Sequence, residues 1–115
     1  MAIIDWDQFN ENFQYYDKEI INELIIMFVD EYDDRISNLQ KNIDQGDFVT
    51  LAFNAHSYKG VIANYMAPRA VDAAGKLEEA AKIHSEEVIP EIFNGLKGAT
   101  AELLAELKAY LQKSE

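Results

Sequence analysis

"DKEIINELIIMFVDEYDDRISNLQKNI" occupies residues 17–43 and sets the architecture of the chain. Within it Ile21, Ile25, Phe28, Tyr32, Ile36, Leu39 and Ile43 follow one another at steps of three and four. That period puts them on one face of an α-helix, whereas a half-buried strand would alternate every second residue. The spacing predicts a helix from about Asp17 to Ile43, with an apolar stripe that needs partners of the same kind. "QGD" at 45–47 then supplies a glycine to end that helix and an acidic residue to begin the next.

The flanking segments carry the same signal. Asp5 can cap a short first helix that has Trp6, Phe9 and Phe13 on one side. A third helix is expected from about Asp47 to Tyr65. A fourth runs from Pro68 to about His84, proline being tolerated in a first turn. Ala70, Ala74, Leu77 and Ala81 give this fourth helix a small-residue face suited to close approach. The fifth begins near Pro90, with Ile92, Phe93, Leu96, Leu103, Leu107 and Tyr110 along one side. Gly95 and Gly98 weaken it locally, by about 1 kcal/mol each relative to alanine. Short connections between long amphipathic helices imply antiparallel neighbours. The expected fold is therefore all-α, an up-down antiparallel four-helix bundle with a short additional N-terminal helix.

Composition narrows the class. The 115 residues are 49% hydrophobic, enough for one core, and no repeat or linker divides them, so 1–115 reads as a single domain. The formal net charge of -11 comes from 21 acidic and 10 basic residues. Such a surface repels phosphate backbones and anionic lipid, and no basic stripe offsets it, so neither nucleic acid nor membrane is an expected partner. With no cysteine there is no disulfide or thiol chemistry. "MAIIDWDQ" lacks the parts of a signal peptide, and the longest apolar run, Leu24 to Val29, is far too short to cross a bilayer. A cytoplasmic, monomeric protein is expected. The "MAIIDW" start and the polar "LQKSE" end lean toward a free-standing one.

"NAHSYKGVIANY", residues 54–65, holds one of the two histidines. Phe48, Leu51, Ala55, Ile62 and Met66 form the core stripe of this helix, and His56 lies about 100° from the stripe's centre. Its neighbours one and two turns away, Ala52, Gly60 and Ala63, are small, which leaves the ring open to a large body approaching from outside. A glycine in mid-helix costs stability, so its place beside an exposed histidine points to a steric use. Lys59, three residues on, can bring an ammonium beside the ring, its stem snorkelling out from a position nearer the core. A phosphoryl group on imidazole needs a neutral ring nitrogen, solvent access, a nearby cation and clearance for the partner. His56, Lys59 and Gly60 meet these needs within about one turn.

"AHSYKGVIAN" at 55–64, followed by "KLEEAAK" at 76–82, resembles the histidine-containing phosphotransfer (HPt) domains of two-component phosphorelays. The family pattern is Ala-His-x-x-Lys-Gly, then small residues, Asn-x-Gly, and a Leu-Glu pair on the next helix. By that resemblance His56 is the phosphoacceptor, Lys59 the charge partner and Gly60 the clearance residue. Ala63-Asn64 matches the small-residue and Asn positions, and Leu77-Glu78 the later pair. Met66 stands where the family has glycine, which leaves the end of the third helix open. The resemblance implies a phosphate carrier without kinase activity of its own, and no nucleotide-binding motif stands in the sequence. Its implied partners are a response-regulator receiver domain and a sensor or hybrid histidine kinase. No cofactor is implied on this chain; the divalent metal is expected on the receiver.

Several residues keep two readings. Glu78 can orient the His56 ring by a hydrogen bond or be a solvated surface carboxylate. Phe53 can anchor a docking partner, beside Ala52, Ala63 and Asn64, or pack beneath the first helix; for Phe9 and Phe13 packing is preferred. His84 reads as a cationic group near a helix C-terminus. A bundle metal site would want Glu-x-x-His pairs, but Ala81 and Phe53 stand three residues before the two histidines, so no metal ligands are assigned. "DEYDDR" at 30–35 reads as a solvated helix face. The rival to a phosphocarrier is a helical adapter that binds a receiver or kinase without carrying phosphate.

Overall fold

Helix boundaries fall where local chemistry places them. The computed structural model describes residues 2–113; Met1 and the Ser114–Glu115 end of the "LQKSE" tail lie outside the described residues. Five helices form: α1 Trp6–Asn12, α2 Lys18–Gln45, α3 Phe48–Ala63, α4 Pro68–Lys82 and α5 Ile89–Lys113, with no strand among the described residues. Asp5 caps α1, its carboxylate accepting the Gln8 N–H at 3.2 Å, and Asp47 caps α3 through the Thr50 N–H at 3.1 Å. Gly46 ends α2 at φ 66°, a left-handed conformation that glycine adopts without a Cβ clash.

Two helices stop short of the sequence expectation, each because a residue turns left-handed. Met66 has φ 55° and His84 φ 54°, so α3 ends at Ala63 and α4 at Lys82. At position 66 the backbone takes the conformation that a glycine would take freely. Here the Met66 carbonyl is tied down by the Asp5 N–H at 2.7 Å. His84, just past α4, stacks on Phe48 at 4.7 Å between ring centres. Gly95 and Gly98 do not interrupt α5.

α2, α3, α4 and α5 pack in a closed ring, each touching the next and α5 returning to α2, with the α3/α4 contact the most extensive. This is the up-down antiparallel four-helix bundle. Ala70, Ala74, Leu77 and Ala81 of α4 are fully buried, and these small side chains let α4 approach α3 closely. Ile21, Ile25, Phe28 and Leu39 are buried from α2, and Phe93, Leu96, Leu103 and Leu107 from α5. Tyr32, Ile36 and Ile43 pack at the edge of the core. An Asn54–Asn42 side-chain hydrogen bond of 2.8 Å links α3 to α2.

The short α1 closes one end of the bundle. Phe9 and Phe13 are buried, and Trp6 stacks on Tyr110 of α5 at 5.9 Å. Ile3 and Ile4, also buried, donate their backbone N–H groups to the Glu106 carboxylate at 2.6 and 3.2 Å. No described helix is long and apolar enough to cross a membrane.

Candidate functional site

α3 presents His56 because its opposite face is anchored. Leu51, Ala55, Tyr58 and Ile62 are buried, which turns His56 outward with 67% of its side chain exposed. Gly60 and Ala63 are exposed on the same side and Ala52 is half-buried. A Cβ built on Gly60 would meet nothing within 4 Å, so this glycine relieves no crowding inside the fold. Asn64 caps the end of α3, and its carbonyl accepts the Asn12 side chain at 3.4 Å.

Glu78 of α4 reaches across to the site. Its side chain is 8% exposed, and one oxygen lies 3.0 Å from Nδ1 of His56. The other oxygen accepts the Lys59 ammonium at 2.8 Å, and Lys82 donates at 3.0 Å to the oxygen shared with the histidine. The Lys59 hydrogen bond leads in pulling the Glu78 carboxyl down to about 2, aided by Lys82 and His56 against the opposing effect of burial. Glu78 is then ionised at neutral pH and can only accept. Nδ1 of a neutral His56 must therefore carry the hydrogen, which leaves the Nε2 lone pair facing solvent. Ring orientation and tautomer follow from one carboxylate.

Of the two readings of Glu78, the hydrogen-bonding one describes its position. Lys59 points its ammonium at Glu78, not at the ring, and its stem runs beside Gly75, where an added Cβ would sit 3.6 Å from Lys59 Cδ. Phe53 is 71% exposed, so it does not pack under α1, while Phe9 and Phe13 do pack. Ala52, Phe53, His56, Glu78 and Lys82 line an open depression of about 300 Å³. In the acidic run, Asp30, Glu31, Asp33 and Asp34 are exposed, with Arg35 bound to Glu31 at 3.3 Å.

Two participants were missed from sequence. Lys82 stands four residues after Glu78, a spacing that brings side chains together on a helix and was the available signal. Val49, 81% exposed, precedes Phe53 by one turn and extends its apolar surface. Tyr58 was also left out of the core stripe, yet it is fully buried, and its hydroxyl has no hydrogen-bond partner among the described residues.

No curated protein and no solved structure matches this chain. A family model described as "Hpt domain" matches residues 23–113, which takes in all of α3, α4 and α5 and most of α2. An exposed histidine on a bundle helix and a match over most of the chain agree: the chain belongs to the Hpt domain family, the histidine-containing phosphotransfer modules of two-component signalling.

Proposed function

We propose that the chain, as one cytoplasmic and monomeric domain, carries a phosphoryl group on Nε2 of His56. It accepts that group from a kinase or a receiver aspartate and passes it to a response-regulator receiver. The observation that carries this reading is the His56–Glu78 pair: an exposed ring whose Nδ1–H is bound to a buried, ionised carboxylate. In the transfer, the Nε2 lone pair attacks phosphorus of the aspartyl phosphate as the bond from phosphorus to the carboxylate oxygen breaks. The aspartate leaves as a carboxylate, and the new N–P bond makes the ring cationic while Nδ1 keeps its hydrogen. Glu78 offsets that ring charge across a 3.0 Å hydrogen bond.

Lys59 and Lys82 supply cations within reach of the phosphoryl oxygens. Gly60 clears the partner's approach, and Ala52, Phe53, Ala63 and Asn64 meet the partner's surface. The divalent metal that balances the aspartyl phosphate belongs to the receiver, and this chain contributes no nucleotide site. Transfer from phosphorylated receivers and hybrid kinases to wild type and His56→Gln tests the reading. Acid-labile, base-stable label on wild type alone is expected. Folded wild-type protein that takes no label from a broad panel of donors would favour a pure adapter.

A further inference from the structure

A second hollow opens farther along the α3/α4 groove. Gln8, Ala63, Met66, Pro68 and Val71 line a mostly apolar recess of about 530 Å³, and the exposed Asp5 and Asp72 border it. Its position relative to the histidine follows from helix geometry. Ala63 is seven residues after His56 on α3, and Val71 is seven residues before Glu78 on α4. Because the helices are antiparallel, both steps lead in the same direction, by two turns or about 10 Å. Gly60 and Gly75 lie between, and the Lys59 stem runs beside Gly75 on its way to Glu78.

We propose that this recess is a specificity socket for the receiver that docks over His56, taking an apolar side chain from the receiver with a basic residue beside it. The inference rests on the phosphocarrier reading above. A protein interface of ordinary size covers about 800 Å² on each partner, a patch roughly 28 Å across. A receiver centred on His56 therefore covers ground 10 Å away. An apolar recess within that footprint is where a buried anchor contributes most. At its border Asp72 is paired with Lys76 at 3.1 Å, and the exposed Asp5 carboxylate favours a cationic neighbour.

One side of the recess lies outside the family match. Asp5 and Gln8 precede residue 23, where that match begins. They are held in place by the Asp5 N–H to Met66 carbonyl bond of 2.7 Å and by the Glu106 carboxylate on Ile3 and Ile4. The socket is thus preformed, and one of its walls comes from residues outside the matched span.

The test uses the full chain carrying Gln8→Trp, an exposed position, or Val71→Arg. Receivers loaded with acetyl phosphate are titrated against each protein, and phosphoramidate, a small donor that needs no docking, labels His56 independently. The socket requires that both variants raise the receiver concentration for half-maximal transfer at least tenfold. The rate at saturation should stay within about twofold of wild type, and phosphoramidate labelling should not change. Half-saturation within twofold of wild type in both variants would overturn the socket while leaving the carrier reading intact. Wild type labelled by phosphoramidate but by no receiver would overturn both. If Val71→Arg loses its helical circular dichroism, Gln8→Trp decides alone.

Discussion

Glu78 and His56 stand on different helices, and the carboxylate of one lies 3.0 Å from Nδ1 of the other. The same carboxylate holds Lys59 and Lys82, so a single buried acid organises a ring and two ammonium groups. One anion faces two cations, so these three side chains carry a net positive charge within a molecule of net charge -11.

Replacing Glu78 with alanine should free the imidazole to change tautomer. Nitrogen-15 NMR of the wild type should show hydrogen on Nδ1, and Glu78→Ala should shift the population toward hydrogen on Nε2. Loss of a charge-assisted hydrogen bond of about 1.5 kcal/mol corresponds to roughly tenfold slower phosphotransfer. An unchanged tautomer ratio would remove Glu78 from any orienting role.

Acid should reveal the same carboxylate as a stability effect. The Glu78 carboxyl titrates at about 2 in the folded protein against an ordinary 4.5. The folded state thus binds fewer protons than the unfolded one, and falling pH favours unfolding. The contribution of Glu78 is complete above about pH 4.5 and is lost as pH drops toward 2. In urea titrations the midpoint gap between wild type and Glu78→Gln should be widest near neutrality and close across that window. A gap that stays constant to pH 2 would contradict it.

How far these features could be read from sequence depends on how local their causes are. Asp5, Asp47 and Gly46 act on their own turns, and the expected caps and helix end are where the structure has them. The stripe from Ile21 to Leu39 was legible because helical period alone defines a buried face. His56 and Gly60 were legible for the same reason, since facing outward is a property of one helix. Glu78 could not be decided, because its contact with His56 depends on the register of α4 against α3. Ile3 and Ile4 went unread for a similar cause: their backbone is satisfied by Glu106, about a hundred positions away. Tyr58 was missed since a phenol sits as readily at a surface as in a core.

Gly60 separates folding from docking. A Cβ there meets nothing, so Gly60→Gln should fold and be as stable as wild type or more so, by up to about 1 kcal/mol from helix propensity. Transfer from a phosphorylated receiver should fall severely, while phosphoramidate should still label His56. Wild-type transfer rates in this variant would refute the steric role of the glycine.

Among the described residues the buried Tyr58 hydroxyl has no partner in good hydrogen-bond geometry, although the Thr100 side chain lies near it, and burial pushes its ionisation well above the usual phenol range. Deleting an unsatisfied polar atom while keeping the ring should not weaken the fold. Tyr58→Phe is expected to leave the urea midpoint unchanged or raise stability by up to about 1 kcal/mol. A loss of more than that would mean the hydroxyl is bonded in solution.

The alanines of α4 have a role beyond holding the bundle together. Ala70, Ala74 and Ala81 are buried on α4, whose most extensive contact is with α3, and Glu78 reaches His56 across that contact. The imidazole is thus oriented from the neighbouring helix as well as by the buried face of its own. A methyl added at one of those alanines should shift Glu78 against His56, so the ring's orientation depends partly on residues that never touch it.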